Sequence, residues 1–139
     1  MAVQISASAR LCGEAARFFQ APYFSALTTV GGDGAPHSSM IWVRRDGGDV
    51  LMVTVRGRQK WRDMTHDPRV TLLAHDPGNP YHYVEIRGTV TMTDEGGAEL
   101  MNELCLAYTG KLWEPDPSQE ARVVVRLTPS KVIEANVPR

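Results

Sequence analysis

Short β-forming segments, each followed by a tight turn, are the feature of this sequence that most constrains its fold. Residues 23–30 (YFSALTTV) are rich in the β-branched and aromatic types that favour strands. The GGDG sequence at 31–34 follows them, and its glycines supply the positive φ angles that hairpin turns need. This succession predicts antiparallel strands joined by hairpins. Two further segments follow the same pattern. Residues 36–45 form a predicted strand before a turn at 46–49, and residues 70–75 form one before a turn at 76–80.

Extended to the whole chain, the pattern predicts six strands and two or three peripheral helices. Strands are expected over 23–30, 36–45, 49–55, 70–75, 81–93 and 123–127, with 131–135 as a candidate extension of the sixth. Helices are expected over 8–20, 58–66 and 95–108, and a proline-bearing loop over 111–120. Because strands and helices do not alternate regularly, a six-stranded antiparallel barrel is favoured over a doubly wound parallel sheet. We expect a single domain over residues 1–139.

Composition excludes several classes of protein. Hydrophobic residues make up 42% of the chain and charged residues 22%, which are ordinary globular values. A net charge of −1 lacks the basic excess that general nucleic-acid binding requires. No apolar run reaches the roughly 18 residues of a membrane span, and no signal peptide is expected. Cys12 and Cys105 lie far apart without a CxxC spacing, so we expect reduced thiols in a cytoplasmic protein; the alternative is a disulfide between the two.

A cluster of positive charge marks the candidate binding site. Arg56, Arg58, Lys60 and Arg62 stand within seven residues, with no acidic residue among them. The cluster lies where a predicted strand meets a predicted helix, so cations and free backbone N–H groups can converge on an anion. The alternative is a solvated helix start, the usual setting of surface Arg and Lys. The density of charge and the presence of Gly57 favour an anion site, and we expect a cofactor phosphate there.

Four motifs occur in a fixed order: GAPHSS at 34–39, VRGRQK at 55–60, DPRV at 67–70 and VEIRG at 84–88. In this order the chain resembles the pyridoxamine 5′-phosphate oxidase-like split barrels, and most of all the branch that uses the deazaflavin coenzyme F420. The motifs together are more specific for the fold than for the cofactor. The resemblance implies a homodimer with two cofactors in grooves between the subunits.

The resemblance also implies roles for individual residues. Arg56, Arg58 and Lys60 would hold the cofactor phosphate, with Gln59 supporting them. The residues that would line the ring system are Ser38, Ser39, Met40, Ile41, Thr54 and Val55. The oxidase itself has a basic residue where this chain has Ser38 and Ser39, and its C-terminal substrate motif is not evident in 126–139. Pyridoxamine phosphate oxidation is therefore not expected.

The activity implied is hydride transfer between deazaflavin and a conjugated or quinone-like small molecule. His37, Tyr81 and His82 are the candidates for the substrate side, and no residue is assigned as catalytic. Four cations exceed what one FMN phosphate needs, which favours deazaflavin over FMN. The alternatives are an FMN-binding oxidoreductase and a non-catalytic carrier of flavin, deazaflavin or haem. The four histidines fit no metal-site spacing, so no metal is expected.

Overall fold

A computed structural model describes residues 3–115 and 121–137 as eight strands and three helices. The strands are β1 (Gln4–Ser8), β2 (Ser25–Val30), β3 (Pro36–Ile41), β4 (Arg44–Asp46), β5 (Asp49–Val55), β6 (Arg69–Asp76), β7 (Asn79–Thr93) and β8 (Arg122–Asn136). The helices are α1 (Gly13–Ala16), α2 (Gln59–His66) and α3 (Gly97–Thr109).

The strands form one antiparallel sheet that curls into a barrel. Its order is β3-β2-β6-β7-β8-β5-β4, with β1 paired to the far half of β8. The two ends of this order, β3 and β4, are consecutive in the chain and separated only by Trp42 and Val43. Because so short a link joins both ends of the sheet, the sheet has to close on itself.

Alternate residues of the strands fill the barrel. Leu27, Leu72, Ile86 and Leu127 are at most 1% exposed and belong to one buried cluster. Met64 of α2 packs into the same cluster, which holds that helix against the barrel.

Helix α3 packs on the outside of the barrel instead. Its Leu100 and Leu104 form a separate cluster with Leu51 of β5. Strand β5 is therefore buried on both faces, which explains its nearly continuous apolar sequence.

The mainly antiparallel β architecture is confirmed, but the number of strands was predicted wrongly: the described residues form eight, not six. Strand β1 was missed because it is short and all five of its residues are exposed, so the polar–apolar alternation of its QISAS sequence buries no apolar face. The helix predicted over 8–20 is one short helix, α1, followed by i→i+3 hydrogen bonds such as that from Phe19 N–H to the Ala16 carbonyl at 3.3 Å. Leu11, Phe18 and Phe19 are nevertheless buried there, as their spacing indicated.

Two other boundaries differ from the prediction. The strand predicted over 36–45 breaks at Trp42 and Val43, because the Tyr108 hydroxyl bonds both the N–H and the carbonyl of Val43, each at 3.2 Å. The segments 123–127 and 131–135 form one long strand, β8. Of the loop predicted over 111–120, residues 116–120 lie outside the described residues. None of the described helices has the length and apolar character needed to cross a membrane.

Candidate functional site

The barrel is open along one line, between β3 and the second half of β5. Strand β4 pairs with β5 only as far as the pair Arg44–Leu51. Continuing that register would bring Ile41 opposite Thr54, yet no pairing joins β3 to β5 in the described part of the chain. Both strands therefore present unpaired backbone groups to the opening, which we call the split. Such groups can hydrogen-bond the polar edge of a planar ligand.

The ring-lining residues predicted from the sequence lie on these two edges. Along β3 they alternate: Ser38 and Met40 face outward, whereas Ser39 and Ile41 are partly buried. The Ser38 hydroxyl lies 2.8 Å from that of Thr28 on the neighbouring strand. On β5, the Thr54 hydroxyl is buried and has no hydrogen-bond partner among the described residues. A buried hydroxyl without a partner is costly, so a ligand that bonds Thr54 would be stabilised there.

The basic cluster lies at one end of the split, on a turn that links β5 to α2. The N–H of Arg58 donates to the carbonyl of Val55 at 3.2 Å, and Gly57 adopts a φ of +91°, which favours glycine. No side chain caps α2, and its first turn contains no acidic residue. The amides of that turn are thus free to bind an anion. Residues 55–60 are called the anion turn below.

Two of the four cations are free and two are engaged. Arg58 and Lys60 form no hydrogen bond or ion pair within residues 3–115 and 121–137, and Lys60 is half-buried. Burial lowers the pKa of the Lys60 ammonium, and the nearby Arg58 lowers it further. By contrast, Arg56 pairs with Asp94, and its guanidinium lies 5.8 Å from the Trp61 ring centre. Arg56 is therefore already engaged by Asp94 and Trp61.

Arg62 is occupied as well. One terminal nitrogen donates to the Gly57 carbonyl, and the other donates to Gln59 Oε1 at 2.9 Å. The amide nitrogen of Gln59 in turn donates to Asp63 Oδ1 at 2.7 Å. Gln59 thus supports the anion turn through its neighbours.

Asp63 is a buried carboxylate that sequence reasoning did not assign to the site. It is 2% exposed and accepts hydrogen bonds from Thr29 at 2.7 Å and from His37 Nδ1 at 2.9 Å, besides that from Gln59. Burial raises the pKa of Asp63, but the hydrogen bonds from Thr29, Gln59 and His37 outweigh it and lower the pKa. The spacing of Gln59 and Asp63, one helical turn apart, was the only signal in the sequence.

The three substrate-side candidates lie in two different places. His37 is on β3 beside the split and is bound to Asp63. Tyr81 and His82 are on β7, which is separated from β3 in the sheet by β2 and β6. His82 forms a hydrogen bond with Glu134 at 2.9 Å. The structure therefore does not bring Tyr81 or His82 to the split. Their role on the substrate side stays a prediction.

A separate groove of about 490 Å³ lies on the outer face of β2, β6 and β7. It contains none of the predicted cofactor-binding residues. Arg69 and Arg87 line it, and they pair with Asp67 and Glu85 at 2.7 Å each. Within the described ranges, no group of three or more His, Cys, Asp or Glu side chains could hold a metal ion.

The curled antiparallel sheet, open along one line beside a basic turn, defines a split β-barrel. The chain belongs to the pyridoxamine 5′-phosphate oxidase family, whose model matches residues 11–136. That family assignment makes it a relative of flavin-type oxidoreductases. None of the curated proteins matches the chain.

Solved structures agree with this assignment. An F420 reductase is 29% identical, with a TM-score of 0.78, over 87% of this chain and 97% of that one. An FAD-binding protein from Mesorhizobium loti is 17% identical, with a TM-score of 0.67, over 99% and 100%. An FMN-binding, pyridoxamine 5′-phosphate oxidase-related protein from Nostoc punctiforme is 16% identical, with a TM-score of 0.57, over 78% and 72%. The last two likenesses concern the fold alone.

Proposed function

We propose that this protein is an F420-dependent oxidoreductase that transfers a hydride between the deazaflavin and a conjugated or quinone-like small molecule. The observation that carries the proposal is the split itself. Two unpaired strand edges lead to a turn with two free cations, Arg58 and Lys60. The likeness to an F420 reductase over most of both chains supports the choice of cofactor.

The residues of the split fit such a cofactor. Arg58 and Lys60, with the first amides of α2, would bind its phosphate. The buried hydroxyl of Thr54 and the backbone of Ser38 to Ile41 would bond the polar edge of the ring. Hydride transfer is the chemistry that the bound deazaflavin supplies. The protein would orient the acceptor against it and exclude water.

A second subunit belongs to this proposal. Met40 is 62% exposed beside the split, and Phe24 and Leu73 are exposed on the same outer face. Exposed apolar side chains gathered on one face are typical of an interface. A homodimer would cover this face and wall the cofactor groove. Tyr81 and His82 would then contribute to the substrate side only across the subunit contact.

An FMN-binding oxidoreductase is the second candidate, and one observation favours it. The sequence-based argument against FMN was that four cations exceed the need of a single phosphate, but Arg56 and Arg62 already have partners. The two cations that remain match one phosphate group.

The experiment that tests the proposal is equilibrium binding of the ligand-free protein to F420 and to FMN, side by side, by fluorescence quenching. Tight F420 binding with weak FMN binding supports the proposal, and turnover of quinone acceptors by the loaded protein would complete it. Tight FMN binding would replace F420 by FMN. Binding without turnover of any acceptor would indicate a carrier, and binding of neither would overturn the function.

A further inference from the structure

A continuous row of side-chain hydrogen bonds joins the two sides of the split at the end that carries the anion turn. It begins on β3, where His37 Nδ1 lies 2.9 Å from Asp63 Oδ2. It continues along α2, where Gln59 Nε2 donates to Asp63 Oδ1 at 2.7 Å and Arg62 donates to Gln59 Oε1 at 2.9 Å. It ends where Arg62 donates to the carbonyl of Gly57, directly after β5. We call this row the side-chain bridge.

We propose that Asp63 and Arg62 are positioning residues that set the spacing between β3 and the anion turn before any ligand binds. The proposal rests on the proposed function, since it takes the anion turn to hold a cofactor phosphate. No main-chain pairing joins β3 to β5 in the described part of the chain, so the spacing lacks the usual support of a sheet. A site whose spacing is fixed in advance binds more tightly, because less freedom is lost on binding.

The chemistry of Asp63 suits this role. Its carboxylate is almost fully buried, and its two oxygens accept from Thr29, His37 and Gln59. An ionised carboxylate only accepts hydrogen bonds, so it satisfies all three donors at once. An asparagine at the same position has a single acceptor oxygen and adds two donors of its own. It cannot accept from all three donors, so Asp63→Asn weakens the bridge with little change in volume.

This substitution separates positioning from simple electrostatics, because the two predict effects of opposite sign. Asp63 carries a negative charge near a site for an anion. If its charge alone mattered, Asp63→Asn would remove a repulsion and strengthen anion binding. If the bridge matters, the same substitution weakens binding.

Arg62 offers a second test, in which the substitution leaves the net charge unchanged. Its planar guanidinium reaches two acceptors at once, Gly57 and Gln59, through separate nitrogens. A lysine keeps the positive charge but has one compact ammonium group and cannot reproduce this fork. Arg62→Lys thus breaks the bridge while keeping the charge of the cluster.

The experiment measures binding of F420 and of FMN to the wild type, Asp63→Asn, Arg62→Lys and the control Arg69→Lys. Arg69 is likewise engaged by a side-chain acceptor, the carboxylate of Asp67, but lies outside the bridge. We expect the two bridge variants to lose about tenfold or more in affinity for each ligand that the wild type binds, since unsatisfied buried groups are costly. The control should bind like the wild type. Asp63→Asn binding as tightly as the wild type or more tightly, or Arg62→Lys matching the control, would overturn the proposal.

Amide hydrogen exchange of the ligand-free proteins gives a readout that does not depend on the cofactor. Both bridge variants should exchange faster at the hydrogen-bonded amides of Arg58 and residue 62, with no change in the paired core of β7 and β8. Unchanged exchange at these two amides in both variants would contradict the bridge. If the wild type bound neither F420 nor FMN, the proposed function would fail while exchange still tested the bridge. If Asp63→Asn did not fold, the surface variant Arg62→Lys would carry both measurements.

Discussion

Lys60 holds its ammonium group half-buried on the anion turn, and the charge of Arg58 acts on it from two residues away. Burial and this like charge together lower the pKa of Lys60. No acidic side chain pairs with either cation among the described residues. Two neighbouring cations without a counter-charge are disfavoured in the free protein and become favourable when an anion binds. The pair therefore points to a negatively charged ligand more strongly than the number of basic residues does.

Replacing Lys60 with Ala should weaken binding of F420 or FMN roughly 10- to 100-fold, because hydrogen bonds to charged groups contribute about 1.5–3 kcal/mol. The fold should persist, since removing one of two like charges does not destabilise it. Fluorescence titration and a thermal unfolding curve measure the two effects. Lys131→Ala, on an exposed position of β8, is the matched control. Equal affinity of the Lys60 variant and the control would place the phosphate elsewhere.

The pH dependence of binding should follow the lowered pKa of Lys60. As pH rises from neutral toward the usual lysine value of 10.5, Lys60 loses its proton earlier than an ordinary lysine, and affinity for the anion falls. Without ligand the sign is opposite: the unfolded chain binds more protons in this range, so unfolding becomes harder as pH rises through it. Titrations across this range measure the first effect. Lys60→Arg, which stays charged, should bind with no such fall, and a fall of equal size in that variant would exclude Lys60 as its source.

Gly88→Ala should destabilise the barrel by about 1–3 kcal/mol, the usual cost of overpacking. A Cβ at this position of β7 would lie 2.3 Å from the carbonyl oxygen of Thr128, so β8 would have to move away. Gly48→Ala is the control, because a Cβ there meets nothing within 4 Å. Urea unfolding measures both variants. Equal midpoints would mean that the two long strands tolerate separation at this point.

Tyr108→Phe should cost about 1–3 kcal/mol, because it leaves the buried backbone at Val43 without its partner. The hydroxyl donates to the Tyr23 carbonyl at 2.6 Å and also bonds the N–H of Val43. It thereby ties α3 to the link that closes the barrel. Tyr81→Phe, at an exposed tyrosine, should change the free energy of unfolding by less than about 0.5 kcal/mol. A Tyr108 variant as stable as that control would mean that water replaces the lost hydroxyl.

Most of the strands and the position of the anion turn could be predicted because their signals are local. β-branched runs, glycine turns and a dense basic cluster are properties of neighbouring residues. Strand β1 could not be predicted, since its five-residue alternation is too short to identify a strand and its partner, β8, lies far along the chain. The break at Val43 likewise depends on a hydroxyl 65 residues away.

The candidate site, too, could be predicted from the sequence only in part. The sequence indicated four cations but not which of them are free, because the partners of Arg56 and Arg62 are set by folding. Asp63 lies next to the cluster in the sequence, whereas its carboxylate points inward to Thr29 and His37. Charge counted along a chain therefore overestimates the charge available to a ligand.

The uninterrupted course of β5 into the anion turn has a consequence for the shape of any ligand. Thr54 and Gly57 are three positions apart, and the chain turns after Val55, so they lie less than the roughly 10 Å apart that three fully extended residues would span. A molecule that touches both positions must therefore carry its planar part and its anionic group on a spacer shorter than about 10 Å. Compounds with the right ring but a longer spacer can satisfy one end of the split or the other, not both. The strand thus selects ligands by length as well as by charge.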